Sequence, residues 1–464
     1  MRFLFVHGTG VRRERHDTLF TLVRERLTAR FPGAAVDSCY WGDRFGATLG
    51  AGGRSVPGLR PRPGTGPDAL AVPDAPYPGA PGPGAQGADL PHPDLPHPDL
   101  PHPGILLPDL LTDPVDAETA EWALLVADPL CELRVLAETG WETGLGWDTE
   151  PGDGDDGFAM PGVQPAGARV LALLDGLPAR PGDGDELGLL LRDTGLTDGY
   201  PAALETTARS AEARRAGERA AEEPQARELA TALARAVIAA ALAAAGAEAY
   251  CTGAERDRVV ELLTNRLGGD ARVPGARAAA VLGRLALRVT TQPLLNAWRG
   301  SLTVGATPAL GDVLRYQARG RDLRAFLHAE IAAVPGPVVL IGHSLGGIAL
   351  VDLLALAAAR GEPVPGAELL VTVGSQAPFL HELGALTALA PGAKLPYGFP
   401  RWLNVYDRQD VLSYLAGPVF PGDTRVTDHE ITSRQPFPAC HSAYWKQDSL
   451  YERIEQAVAE AEIG

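Results

Sequence analysis

Lysine is almost missing from this 464-residue chain: Lys394 and Lys446 are the only two, so arginine carries nearly all the positive charge. Acidic residues outnumber basic ones, and the formal net charge is −17 at pH 7. A phosphate backbone demands the opposite sign, so nucleic acid is excluded as the partner class, and simple electrostatic attachment to an anionic membrane is disfavoured. Cysteine is sparse too. Cys39, Cys131, Cys251 and Cys440 form neither a CxxC pair nor a metal-ligand spacing. No disulfide framework is therefore expected, and reduced thiols in a cytoplasm are the simpler reading. Long apolar runs are also lacking. The longest, AVIAAALAAAGA from Ala236 to Ala247, has twelve residues, whereas a bilayer span takes about 20. MRFLFVHGTG at the start is too short in its apolar part for a signal-peptide core. The expectation is a cytoplasmic chain without a transmembrane helix, with at most transient membrane contact.

Cofactor signatures fail one by one. No GxxxxGK[ST] occurs, and GTGVRR after the first apolar run lacks the third glycine and later acid of a dinucleotide site. The acidic turns at 152–157 and 182–186 miss the glycine or glutamate of a calcium loop. His92, His97 and His102 recur every five residues in a proline-rich stretch, which spaces them about 15 Å apart in an extended chain, too far to share one metal ion. No cofactor and no metal are expected.

What is present is a globular composition, 45% hydrophobic, arranged in four blocks. Residues 1–43 begin with a buried strand (3–7), an amphipathic helix (17–31) and a second strand (35–40). Residues 44–104 are dominated by Pro, Gly and Ala with three copies of DLPHP, a composition that buries too little apolar surface to offset the entropy of ordering. Residues 105–309 read as helices only, among them TAEWALLVADPLCELRVLAET, ARVLALLDGL, ARELATALARAVIAAALAAA and ERDRVVELLTNRL. From 310 a helix leads into alternating elements: strand 338–342, helix 345–360, strands 368–373, 402–406 and 425–431, and a last helix over 442–463. Continuous apolar strands alternating with helices predict a mostly parallel sheet covered on both faces. The two N-terminal strands would join it.

One stretch carries chemistry. VVLIGHSLGGIALVDLL, Val338–Leu354, runs from a buried strand through Gly342, His343, Ser344, Leu345, Gly346 and Gly347 into a helix. A strand turning this sharply into a helix needs small neighbours, and it lifts Ser344 above the sheet beside the backbone N–H of Leu345. A serine hydroxyl needs a base to take its proton and a third group to orient the base. RWLNVYDRQDVLSYLA offers Asp407 at a strand end and Asp410 in the following loop. Asp410, flanked by Val411 and Leu412, is favoured, while Asp407 equally suits a turn cap. PFPACHSAYW offers His441 just before the last helix, preferred over His429 inside a half-exposed strand. FVHGTG supplies a second oxyanion donor, Thr9 or Gly10, to pair with Leu345. Arg12, Arg13 and Arg15 follow that loop, either as solvated charges or as contacts for an anionic headgroup.

These motifs resemble the α/β-hydrolases of the lipase and esterase type, over roughly 1–43 and 310–464. The resemblance implies Ser344 as acylated nucleophile, His441 as general base and acid, Asp410 as orienting carboxylate. It also implies an α/β-hydrolase core whose sheet is short, about six strands, because two strands that precede the HG-bearing one in the full fold are missing. The insertion is far longer than a usual lid. The expected activity is hydrolysis of carboxylic esters, with lipid-like acyl esters the favoured substrate because an apolar helical cap shelters an acyl chain. A thioesterase, acyltransferase or peptidase would use the same three residues. A further alternative is an effector whose helical insertion recruits a protein partner.

Overall fold

The computed structural model describes residues 1–47, 114–139, 166–182, 184–269, 307–333 and 336–463. The DLPHP copies with His92, His97 and His102, and the acidic turn at 152–157, lie outside them.

Six strands form one sheet: β1 (Arg2–Val6), β2 (Ala35–Cys39), β3 (Val338–His343), β4 (Ala367–Val373), β5 (Arg401–Tyr406) and β6 (Val426–Glu430), ordered β2-β1-β3-β4-β5-β6. Every neighbouring pair is parallel. Alternation along the strands splits the apolar side chains between two faces, because successive side chains point to opposite sides of a sheet. Leu4, Val6, Leu340, Leu370 and Trp402 pack with Leu323, Leu327 and Ile331 of the helix Thr307–Ala332 and Ile348 and Val351 of the helix Leu345–Ala359. Phe3, Phe5, Val339, Ile341, Val371 and Val405 face the other way, onto Leu19, Val23 and Leu27 of Arg13–Arg30 and Leu450, Ile454 and Val458 of Asp448–Glu460. Both faces are thus covered, and each fully buried Leu, Ile or Phe contributes about 1.5–3 kcal/mol.

Strand order reverses between β1 and β3. Loops leaving the carboxyl ends of two strands on either side of such a reversal diverge, and a crevice opens between them. Gly8 and Ser344 follow those two strand ends.

Residues 114–139 and 166–269 build a separate helical module. Among its described residues there is no strand, and its core is its own: Trp122, Leu133, Val170, Leu191, Leu204, Leu233, Ile238 and Leu263 join one cluster that includes none of the sheet's side chains. At its centre runs Glu223–Ala245, buried along most of its length. By length and composition this helix is able to cross a membrane, yet its apolar faces are spent on neighbouring helices. Thr252 caps the next helix, Gly253–Arg266, with a reciprocal bond to Glu255. Asp185, in the acidic turn at 182–186, caps Glu186–Asp193 and pairs with Arg266, so that turn serves helix structure.

Two boundaries differ from the sequence reading. The helix expected from 310 already includes Thr307 among the described residues. The expected last helix is broken: a short turn, Cys440–Ala443, is followed by a 3₁₀ turn, Tyr444–Lys446, and the long helix starts only at Asp448 after extended backbone at Gln447.

Candidate active site

Ser344 sits at the turn between β3 and the helix Leu345–Ala359 with φ 51° and ψ −120°. A non-glycine residue in this region is strained by about 1–3 kcal/mol and persists only where its surroundings over-determine it. They do so here through glycines. A Cβ on Gly342 would lie 2.7 Å from Gly347, one on Gly346 would strike the carbonyl of Val6, and one on Gly347 would lie 2.6 Å from Ser375 Oγ. Gly342 and Gly346 therefore mark places where two backbones touch, and Gly347 leaves room for the Ser375 side chain. Ser375 Oγ donates to the Ser344 carbonyl at 3.1 Å, and Ser344 N–H donates to the Val373 carbonyl at 3.0 Å, so the turn is held from β4 as well. Ser344 is 1% exposed, and its Oγ makes no hydrogen bond among the described residues.

His441 and Asp410 come together as expected from chain order. His441 Nδ1 lies 2.8 Å from Asp410 Oδ2, with both residues buried. A carboxylate only accepts, so Nδ1 carries the proton and the Nε2 lone pair is left for a reacting group. Asp410 is held in turn. Tyr444 Oη donates to Oδ2 at 2.9 Å and Leu412 N–H to Oδ1 at 3.0 Å. Burial and the Asp410 charge push the Tyr444 phenol well up, so it stays a donor. Asp407 is the other carboxylate of the loop, and its oxygens are taken by the N–H groups of Gln409 and Ser433, each at 2.9 Å. It is a turn cap, its carboxyl raised by burial. His429 stays on β6, half-buried and away from this cluster.

His343, the residue before Ser344, brings the two halves together. Its ring packs on that of His441 with centroids 4.8 Å apart, and its Nε2 lies 2.9 Å from the His441 carbonyl oxygen. The carbonyl accepts, so Nε2 bears the proton. Burial holds the His343 pKa well below the usual imidazole value, and the ring is neutral.

The loop after β1 is fixed by His7. Trp41 N–H donates to its Nε2 at 3.1 Å, so Nδ1 is the protonated nitrogen and donates to the Gly8 carbonyl at 2.8 Å. The indole of Trp41 stacks on the imidazole at 4.5 Å and donates to the His7 carbonyl at 3.0 Å. Burial lowers the His7 pKa to about 3. Gly8 has no room for a side chain, since a Cβ there would come 2.9 Å from Ser344 Cβ.

One expected oxyanion donor is overturned. Gly10 N–H donates to Asp312 Oδ2 at 2.7 Å, and Asp312 also accepts from Ala47 N–H. Gly10 is thus committed to a buried carboxylate on the helix Thr307–Ala332. The N–H groups of Thr9 and Leu345 have no acceptor among the described residues, and Leu345 lines a cavity of about 130 Å³ with Trp41, Tyr316 and the charged Asp312, Arg315 and Arg319.

The three arginines after this loop are occupied too. Arg12 donates to the Ala47 carbonyl at 2.9 Å and lies 3.6 Å from Asp312. Arg13 covers the Tyr40 ring at 3.9 Å, and Arg15 reaches Tyr250 Oη at 3.3 Å and Glu248 at 3.6 Å.

Sequence reasoning missed Asp312, Ser375, Tyr444 and the part played by His343. Tyr444 stands one helical turn beyond His441, a spacing that points both side chains to one side. Nothing near Asp312 signals a partner 302 positions away. No group of His, Cys, Asp and Glu among the described residues is arranged to hold a metal ion.

Residues 297–458 match the alpha/beta hydrolase family model. No curated protein and no solved structure matches the chain. The sheet and its covering helices form an α/β-hydrolase core, and the helical module is inserted in it.

Proposed function

We propose that this hydrolase cleaves carboxylic esters through an acyl-enzyme on Ser344. The observation that carries the reading is the buried His441–Asp410 hydrogen bond, with the His441 ring against His343 beside the strained serine turn. Ser344 Oγ attacks the ester carbonyl carbon while its proton passes to His441 Nε2. Asp410 stays ionised and stabilises the imidazolium. The carbonyl oxygen becomes an oxyanion that accepts from Leu345 N–H and Thr9 N–H. Collapse breaks the ester C–O bond, and the departing alcohol takes the proton from His441. Water, deprotonated by the same nitrogen, then attacks the acyl-enzyme and releases the carboxylic acid and free Ser344.

Serine and histidine are not hydrogen-bonded in this state, which agrees with catalytic contacts that tighten only when substrate binds. The cavity beside Leu345 is small and has Asp312, Arg315 and Arg319 on its wall. A long acyl chain, as in the lipid-like esters suggested by the sequence, would need the crevice to extend beyond it.

Labelling with a fluorophosphonate tests the assignment. Wild type becomes labelled and Ser344→Ala does not; a wild type that neither labels nor turns over p-nitrophenyl acetate, butyrate or palmitate removes it. The separate core of the helical module supports a second reading, in which that module recruits a protein partner. An unlabelled but folded wild type favours it.

A further inference from the structure

The helical module meets the hydrolase core chiefly at the chain on either side of His441. Before the histidine, Gly253 N–H donates to the Ser433 carbonyl at 3.0 Å, and Gln435 Nε2 donates to the Cys251 carbonyl at 2.8 Å. Between these, Arg256 Nη1 donates to the Arg434 carbonyl at 2.8 Å. After the histidine, Lys446 Nζ donates to the Asp193 carbonyl at 2.6 Å and pairs with Glu255 at 2.7 Å. His441 thus lies between two attachments, both made to the module.

Arg256 is the unusual member. It is fully buried, and a buried guanidinium persists only with every charge and donor answered. Its own module supplies Glu118, Asp257 at 2.7 Å and the Trp122 ring at 4.3 Å. The core supplies the Arg434 carbonyl, and the Arg434 side chain shares the same two acids, Glu118 at 2.8 Å and Asp257 at 2.8 Å. Two arginines and two carboxylates form a neutral quartet across the junction. Arg434 is held at φ 56°, a conformation a side-chain-bearing residue rarely adopts. Gly253 lies directly against it, where a Cβ would come 2.5 Å from Arg434 Cβ. The strained turn leads through Pro436, whose carbonyl accepts from Cys440 N–H at 3.1 Å, into the four-residue helix that presents His441.

We propose that Arg256 is a positioning residue for His441: by holding the Arg434 turn, the helical module sets where the imidazole stands relative to Ser344. The module then acts on the reaction through the histidine loop rather than as a lid over the crevice. This rests on the reading of Ser344, His441 and Asp410 as the reacting set. Loss of the Arg256 fork lets the turn relax, and a displacement of about 1 Å at a reacting group costs on the order of 100-fold in rate.

The test uses the full chain and four variants: Arg256→Met, Arg256→Lys, Lys446→Met and, as control on the same helix, Arg258→Ala. Among the described residues Arg258 pairs with Glu186 and Glu261, at the surface of the module. Turnover of p-nitrophenyl butyrate, the pH–rate profile, fluorophosphonate labelling and thermal unfolding are measured together. Arg256→Met is expected to lower kcat about 10- to 100-fold with KM unchanged, and to move the acidic limb of the profile that reports His441. Arg256→Lys, which keeps one donor for the Arg434 carbonyl, restores part of the rate, and Arg258→Ala keeps wild-type kinetics. A folded Arg256→Met with wild-type kcat and labelling rate overturns the proposal and leaves the triad standing. Should Arg256→Met not fold, Lys446→Met decides from the other side of the histidine: a fall in kcat at constant KM supports the proposal, and wild-type kcat overturns it. A wild type that neither labels nor turns over removes the triad and this proposal together.

Discussion

Asp410 accepts a hydrogen bond from His441 Nδ1–H at 2.8 Å, while Asp407, three positions earlier on the same loop, meets no histidine among the described residues and instead receives the amides of Gln409 and Ser433. Two carboxylates of one loop therefore have different tasks, and substitution separates them. Asp410→Asn presents the wrong hydrogen-bonding partner to Nδ1 and should reduce kcat about 10³- to 10⁴-fold. Asp407→Asn should lower stability by about 1–2 kcal/mol and leave kcat within a few-fold. Steady-state kinetics with urea unfolding on both variants checks the contrast, and the reverse pattern would exchange the two roles.

Gly8→Ala tests the packing of the loop on the serine turn. Its methyl group would be placed 2.9 Å from Ser344 Cβ and 3.2 Å from His343 Nδ1, so the turn must move. A stability loss of about 1–3 kcal/mol is expected, with a fall in kcat on the order of 100-fold. Kinetics at a temperature where the variant is folded would show whether activity suffers out of proportion to stability.

Asp312→Ala removes the acceptor shared by Gly10 and Ala47 and the charge facing Arg12. Leaving two half-buried donors without their acceptor costs about 1–3 kcal/mol. The freed Gly10 amide would let the loop after β1 shift, so kcat/KM should fall as well. Asp312→Asn, which keeps an acceptor without the charge, should lie between. Identical kinetics in all three proteins would show that this carboxylate has no influence on the oxyanion loop.

Acid sensitivity follows from His7. Its pKa is about 3 in the folded protein against 6.5 for the free side chain, because burial penalises the charged ring. Below pH 6.5 the unfolded state binds a proton that the folded state refuses. Stability contributed by the neutral ring is therefore present above pH 6.5 and lost as pH falls towards about 3, at up to ~1.4 kcal/mol per pH unit. His343, lowered in the same direction, steepens the fall. Denaturant titrations from pH 7 to pH 4 should show His7→Gln less stable at neutral pH yet with a shallower slope. An unchanged slope would mean that His7 titrates normally in the folded state.

The parallel sheet, its six strands and the serine turn were legible in the sequence because local patterns encode them: continuous apolar strands, amphipathic helices, and glycines placed where two backbones touch. Chain order sufficed to propose Ser344, Asp410 and His441, since strand-end loops of a parallel sheet all open on one edge. It did not suffice to choose between Asp407 and Asp410, which differ only in which amides and which imidazole reach them. Nor did it reveal that Asp312 occupies the Gly10 amide from 302 positions away, or that Arg434 meets Glu118 across 316. Such contacts leave no periodic trace in either segment. They exist only once the sheet and the helical module have brought distant charges within hydrogen-bonding reach, where burial makes each unanswered donor costly.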